Sequence, residues 1–246
     1  MTKTLILIPS RIAATRLPGK PLLKINNLSI ISHVFKRAEE ANIGEVVVAT
    51  DSQKILKDVI KNGGRAILTN KDHKTGTDRI YEAYEKLNIK GIDYILNLQG
   101  DEPDINKDDI IKLNNQMISH DAKLGTLAAK IQDKKILNNK DIVKVITERN
   151  LEKNDFPTAL NFTRNDLSKD NKNIYHHIGI YSYKTSILEK FVKFNQTKNE
   201  KENKLEQLRA LDNKLKINVA LAKFSPIGVD TMEDYLAIKK IMEYKI

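Results

Sequence analysis

Through about residue 118 the chain alternates short apolar runs with stretches whose apolar residues recur every three or four positions. No other feature narrows the fold as far. Such alternation builds a mostly parallel sheet with helices on both faces, an α/β fold. Residues 5–8, 46–50, 66–68 and 94–98 are strand-length apolar runs,. Between them Ile30, Ile31, Val34, Phe35, Ala38 and Ala41 fall at helical spacing, as do Ile55, Leu56, Val59 and Ile60, then Ile80, Tyr81, Tyr84 and Leu87,. Ser29 and the pair Asp51-Ser52 predict N-caps, and Gly63-Gly64 predicts a C-cap,.

From Leu124 the pattern changes. Residues 125–131, 142–147, 159–163 and 178–183 read as strands with no helices between them,. Such strands leave an apolar face uncovered, and an uncovered apolar face is usually an interface. The expectation is one domain over residues 1–246 with a β-rich dimerisation insertion around 124–183. Helices follow near 184–194 and 203–214, then a strand at 217–222 and a last helix from Thr231. No Pro/Gly/Ser linker and no internal repeat divides the chain.

The charge is +10, from 42 Lys+Arg against 32 Asp+Glu. Basic proteins often bind nucleic acid. Here acids interleave with the lysines, as in Lys198-Asn-Glu-Lys-Glu-Asn-Lys204, and no basic stripe alternates with aromatics. No nucleic-acid partner is expected. The absence of cysteine excludes disulfides, thiolate metal sites and a cysteine nucleophile,. The start lacks a signal-peptide pattern, and no apolar run approaches the ~20 residues of a membrane span. A cytoplasmic protein without membrane attachment is expected.

The first apolar run meets Pro9, which is expected to stop the strand because it has no N–H for a ladder. The loop beyond carries Arg11, Arg16 and Lys20. Three cations at one strand end are tolerable around an anion, and open α/β sheets bind ligands beyond the carboxyl ends of their strands. A polyphosphate site is one reading; a basic surface loop without a ligand is the other. The loop is neither a Walker A sequence nor a dinucleotide fingerprint. Asp101 and Asp230 each follow an apolar run. Each is either a helix cap or a carboxylate placed to hold Mg²⁺ against phosphates. Thr231 with Asp234 three residues on resembles a capping pair, which would release Asp230 for another task. Thr75-Gly76-Thr77-Asp78-Arg79 opens a helix with small residues, suited to an anion or a base edge, or simply to capping. The histidines lack zinc spacing. His176 and His177 sit on one strand, so they face opposite sides.

These strings together carry a resemblance. Ile8-Pro-Ser-Arg11, Thr15-Arg-Leu-Pro-Gly-Lys-Pro-Leu22, Val48-Ala-Thr-Asp51, Gly76-Thr-Asp-Arg79 and Gln99-Gly-Asp-Glu-Pro103 come first. His177-Ile-Gly-Ile-Tyr181, Leu205-Glu-Gln-Leu-Arg209 and Gly228-Val-Asp-Thr231 follow, in family order over nearly the whole chain. The chain closely resembles the 3-deoxy-D-manno-octulosonate (Kdo) cytidylyltransferases. The sialic-acid cytidylyltransferases share the fold, but the second and fifth strings point to the Kdo branch.

The resemblance implies a Rossmann-like nucleotidyltransferase fold, a homodimer, and the Mg²⁺-dependent reaction of CTP with Kdo to give CMP-Kdo and diphosphate for lipopolysaccharide assembly. It implies that Arg11 and Lys20 contact the CTP phosphates, with Lys20 offsetting charge at the α-phosphate. Pro9, Ser10, Thr75, Gly76 and Arg79 would hold the cytosine end, and Asp101 and Asp230 would bind magnesium. Arg16, Gln99, Arg164, His177, Tyr181, Glu206 and Gln207 would contact the sugar. The chain departs from the family pattern in having Ala14 where Ser is usual and Ser10 where Ala is usual. It also has His176 where a residue such as Arg is common, and Asn-Asp-Leu-Ser-Lys after Arg164. The last two lie near the acceptor and keep a related sugar acid, such as the 8-amino sugar, as an alternative. A basic nucleic-acid-binding protein is the alternative from another class.

Overall fold

A computed structural model describes residues 2–13, 16–168 and 173–243. Ala14 and Thr15 lie outside the described residues. The chain forms two compact units, residues 1–111 with 226–246 and residues 112–225.

In chain order the first part gives β1 (Thr4–Ser10), a hairpin of β2 (Lys24–Ile25) and β3 (Leu28–Ser29), α1 (Ile30–Glu40), β4 (Gly44–Thr50) and α2 (Gln53–Lys61). It continues with β5 (Ala66–Leu68), α3 (Gly76–Leu87), β6 (Tyr94–Asn97) and α4 (Lys107–Ser119). In the first unit the sheet order is β6-β1-β4-β5, and every pairing is parallel. The carboxyl ends of these strands therefore share one edge. Leu5, Ile6, Leu7 and Ile8 are fully buried, as a central parallel strand requires,. Ser29 Oγ accepts from Ser32 N at 3.2 Å and Ser52 Oγ from Lys54 N at 3.2 Å, so both expected N-caps form.

Pro9 does not end β1. The strand pairs with β4 through Pro9↔Ala49 and Ser10↔Thr50. On the other side the ladder to β6 stops at Leu7↔Asn97. Past that point β1 has one strand partner, and a proline without an N–H is tolerated there. The hairpin was also not anticipated. Its Asn26-Asn27 turn has φ of 47° and 63°, a conformation asparagine adopts more readily than most residues,.

The second part gives β7 (Leu124–Lys130), the one-turn α5 (Lys135–Asn138), β8 (Lys144–Thr147), β9 (Ala159–Thr163) and β10 (Ile174–Lys184). It ends with α6 (Thr185–Phe191), α7 (Lys198–Asn203), α8 (Leu208–Asp212), β11 (Asn218–Leu221) and α9 (Met232–Glu243). In the second unit β10 is antiparallel to β7 and to β8, β8 is antiparallel to β9, and β11 runs parallel to β7. The single helix expected at 203–214 is two short helices instead. Thr197 and Glu200 form a capping box that starts α7 early, and Lys204, in the left-handed region at φ 53°, ends it,.

The last stretch belongs to the first unit. Val229, Ile238 and Met242 pack with Leu17, Ile25 and Ile30 in one buried cluster. Tyr235 Oη donates to the Lys24 carbonyl at 2.6 Å, tying α9 to the hairpin. Gly100 marks a close approach. A Cβ there would lie 2.8 Å from the Pro9 carbonyl oxygen and 3.2 Å from Ile31 Cδ1. Gly100→Ala is therefore expected to cost about 1–3 kcal/mol of stability, read by urea denaturation. An unchanged midpoint would show that β1 has room to shift.

Candidate active site

A cleft of about 320 Å³ opens at the carboxyl edge of the first unit's sheet. Its walls come from four places in the sequence. The end of β1 and the following loop supply Pro9, Ser10, Arg11, Arg16 and Lys20. The start of α3 supplies Thr75, Gly76 and Arg79, preceded by His73 and Lys74. Gln99, Gly100 and Asp101 follow β6, and Asp230 precedes α9.

Lys20 is placed by a turn. Gly19 has φ 71°, a left-handed conformation that favours glycine, and Lys20 N donates to the Leu17 carbonyl at 3.1 Å,. The Lys20 side chain is 13% exposed, and its Nζ donates to Asp101 Oδ2 at 2.7 Å and Asp230 Oδ1 at 3.1 Å. Burial alone would lower its pKa, but Asp101 and then Asp230 outweigh that and hold it above the ordinary lysine value. Arg16 Nη2 reaches Asp230 Oδ2 at 2.9 Å; this pair is largely exposed and contributes little to stability,. Among the described residues Arg11 has no ion-pair partner. The loop cations are thus balanced in part by two acids, not solely by a ligand.

Neither acid caps a helix. Asn106 accepts from Asp108 N at 2.9 Å near the start of α4, leaving Asp101 outside it. Asp234 Oδ2 accepts from Thr231 N at 2.8 Å, and Thr231 Oγ1 accepts from Asp234 N at 3.2 Å. That capping pair leaves the Asp230 carboxylate for the cleft. The carboxylates converge on one cation, here an ammonium, and both are hard oxygen donors. Such a pair fits Mg²⁺, which takes one or two carboxylates and completes its shell with phosphate oxygens and water. Among the described residues there is no cluster of three or more His, Asp or Glu that would form an all-protein cage.

Thr75 caps α3, its Oγ1 accepting from Asp78 N at 3.1 Å. Gly76 at the first helical position lines the cleft, where the N–H groups of the first turn lack intrahelical partners,. Ser10 Oγ is buried with no hydrogen-bond partner among the described residues. An orphaned hydroxyl in a cleft wall is a place for a ligand polar group. Arg79 is buried and committed to the protein. Its Nη1 donates to Thr69 Oγ1 at 2.6 Å and its Nη2 to Asp51 Oδ2 at 3.1 Å. Asp51 Oδ1 in turn accepts from Ile12 N at 3.3 Å. Arg79 therefore braces the wall, and Asp51, read from sequence only as part of a helix cap and a family string, anchors the loop beside Arg11.

In the second unit His177 Nε2 lies 3.1 Å from both Thr126 Oγ1 and Tyr181 Oη. A register shift in β10 between Ile178 and Tyr181 accompanies this pairing. Arg164, just past β9, donates from Nη1 to the Asp141 carbonyl at 2.5 Å. Glu206 and Gln207 lie in the turn between α7 and α8, where Arg209 Nη2 is 3.5 Å from Glu206 Oε1. Arg16 and Gln99 belong to the cleft of the first unit.

With this geometry in view, comparison with known proteins is decisive. A family model described as cytidylyltransferase matches residues 5–217. A 3-deoxy-manno-octulosonate cytidylyltransferase of Rhodopseudomonas palustris (strain BisB18) is 42% identical over 99% of both chains. One from Brucella canis is 44% identical over 94% of this chain and 92% of its own. The chain belongs to the 3-deoxy-manno-octulosonate cytidylyltransferase family. A solved CMP:2-keto-3-deoxy-manno-octonic acid synthetase complexed with CTP superimposes with a TM-score of 0.91 at 32% identity, covering all of both chains. A Leptospira borgpetersenii cytidylyltransferase, at 21% identity and a TM-score of 0.66, covers 99% of this chain and 88% of its own and shares the fold.

His177 offers a physical check on the second unit of this family member. It is 9% exposed, and burial, then the charges of His176 and Arg164, push its pKa down to about 3. The unfolded chain protonates this imidazole near 6.5, whereas the folded chain resists. Stability is therefore full above about pH 6.5 and is lost as pH falls toward 3, by about 2 kcal/mol at pH 5 from this group. His33 and His176, also lowered mainly by burial, act in the same direction. Denaturation at pH 7.5 and 5.0 should show a smaller pH effect for His177→Gln than for wild type. Equal effects would mean that the imidazole is solvated.

Proposed function

We propose that this chain transfers the cytidylyl group of CTP to Kdo, releasing diphosphate, in the cytoplasm and in support of lipopolysaccharide assembly. The observation that carries the site assignment is the convergence of Asp101 and Asp230 on Lys20, beside Arg11 and opposite the start of α3. The anomeric oxygen of the sugar bonds to the α-phosphorus in line as the bond to the β-phosphate oxygen breaks, so positioning and charge stabilisation dominate. No side chain becomes a covalent nucleophile. Ser10, Thr75 and Gly76 meet the cytosine end, with Pro9 and Arg79 shaping the wall. Arg11 binds the phosphates. Lys20 offsets charge at the α-phosphate. Asp101 and Asp230 would hold Mg²⁺, which would offset charge on the phosphate oxygens. The residues assigned to the sugar are Arg16, Gln99, Arg164, His177, Tyr181, Glu206 and Gln207, with Arg164 gripping its carboxylate.

Pyrophosphate release should be fastest with CTP and Kdo in a panel including ATP, UTP, 8-amino-Kdo and a sialic acid. Equal release from ATP and CTP would overturn the nucleotide assignment. In the same assay Asp101→Asn and Asp230→Asn should each lower kcat by about 10²–10³ while leaving the thermal midpoint near wild type. Near-wild-type rates at limiting Mg²⁺ would remove both acids from the mechanism.

The β-rich segment is proposed to form a two-fold homodimer of single-domain chains, and Leu160 on β9 is 61% exposed in the isolated chain,. Sedimentation at micromolar concentration should give twice the chain mass; a monomer would refute it.

A further inference from the structure

Lys144 opens β8 and is fully buried, yet no carboxylate lies within ion-pair distance of it among the described residues. Burial and then the charge of Arg164 lower its pKa, and Asp166 offsets this only from further away. A buried cation without an acid is unfavourable, and a methionine would fill the same volume at less cost. The ammonium does something a hydrocarbon cannot. It donates to the Asn139 carbonyl at 2.8 Å and to the Arg164 carbonyl at 3.0 Å, joining the loop before β8 to the loop after β9.

The strand register sets Lys144 opposite Thr163, the residue before Arg164. Arg164 returns the contact from outside, its Nη1 donating to the carbonyls of Asp141 at 2.5 Å and Lys140 at 3.4 Å. Leu167 N also donates to the Leu137 carbonyl at 3.1 Å. The two loops are thus clasped, by Lys144 inside and by Arg164 outside. Only Nη1 of the guanidinium is spent on these carbonyls. The Nε–Nη2 edge has the geometry for a bidentate carboxylate.

We propose that Lys144 is a positioning residue for sugar-acid binding: by holding the Arg164 main chain to the 139–141 loop, it aims the Arg164 guanidinium at the carboxylate of the acceptor. This rests on the reading of Arg164 as the residue that grips the sugar acid. Lys144 touches neither substrate and acts through Arg164 alone.

The test uses the full chain and steady-state kinetics on Lys144→Met, Arg164→Ala and the double variant, with Lys144→Gln as a milder substitution should the methionine variant fail to fold. The KM for Kdo should rise about ten- to a hundredfold in Lys144→Met, while the KM for CTP stays within about twofold. Arg164→Ala should raise the Kdo KM as well, and the double variant should match Arg164→Ala alone, because the two residues act as one unit. If Arg164→Ala leaves the Kdo KM unchanged, the reading of Arg164 fails and the proposal falls with it. If Arg164→Ala raises it but neither Lys144 variant does, only the positioning role is overturned. Additive effects, or equal rises in both KM values, would make Lys144 a general structural residue and also overturn the proposal.

Discussion

One backbone hydrogen bond decides where the two carboxylates of the cleft sit. Val229 N donates to the carbonyl of Asp101 at 2.9 Å, joining two stretches more than a hundred residues apart. Val229 is fully buried in the cluster formed with Leu17, Ile25, Ile30, Ile238 and Met242. The hydrogen bond sets the height of the stretch, and the buried valine sets its depth. The next residue, Asp230, is then opposite Asp101 with Lys20 between them. Two carboxylates so close repel each other unless a cation intervenes. In the free protein Lys20 supplies that cation, which lets the pair stay assembled without a metal.

The loop carrying Lys20 needs its own support. Gly19 supplies the left-handed turn, and Asp51 holds Ile12 N at the near end. Asp51 is in turn fixed by Arg79, whose side chain is 4% exposed and reaches Thr69 as well. A charged pair that deep gains little net stability, because desolvation offsets the attraction. Its return is geometric. A bidentate-capable guanidinium with three partners, Asp51, Thr69 and the Asn70 carbonyl at 3.2 Å, leaves the loop few alternative positions.

Much of this was legible in the chain, and for identifiable reasons. The parallel strands are continuous apolar runs with period breaks at capping residues, so β1, β4, β5 and β6 could be read from Leu5, Val46, Ala66 and Tyr94 onward. Asp101, Asp230, Arg11 and Lys20 were legible because strand ends in such sheets converge, and the cleft does bring them together. What failed was set by contacts distant in sequence. Pro9 stays in β1 because β6 stops short, which no local signal near Pro9 reports. The expected 203–214 helix is split because Glu200 and Arg209 pair across the break, with Nε and Nη2 at 2.8 and 2.5 Å from the carboxylate. Arg79, assigned to the cytosine end by the family resemblance, does line the cleft, and what the sequence did not report is that Asp51 and Thr69 hold its guanidinium there.

Glu200–Arg209, Asp51–Arg79 and Lys144 follow one logic. Each is a buried cation in a chain whose surplus of lysine would have made an exposed position easy. Asp51 accepts from Ile12 N beside Arg11, Lys144 donates to the Arg164 carbonyl, and Arg209, fixed by Glu200, lies two residues past Gln207; all three places adjoin residues proposed to meet substrate. The Arg209 guanidinium also stacks 4.9 Å from the Phe191 ring, so its plane is fixed as well as its charge,. Hydrophobic replacements of similar volume often stabilise such sites, which makes stability a poor account of their presence. Positioning is a better one. A loop holds an arginine in one place only when its main chain has few alternative positions. The net charge of +10 then says little about the partner of this protein. The informative cations are the few that are buried.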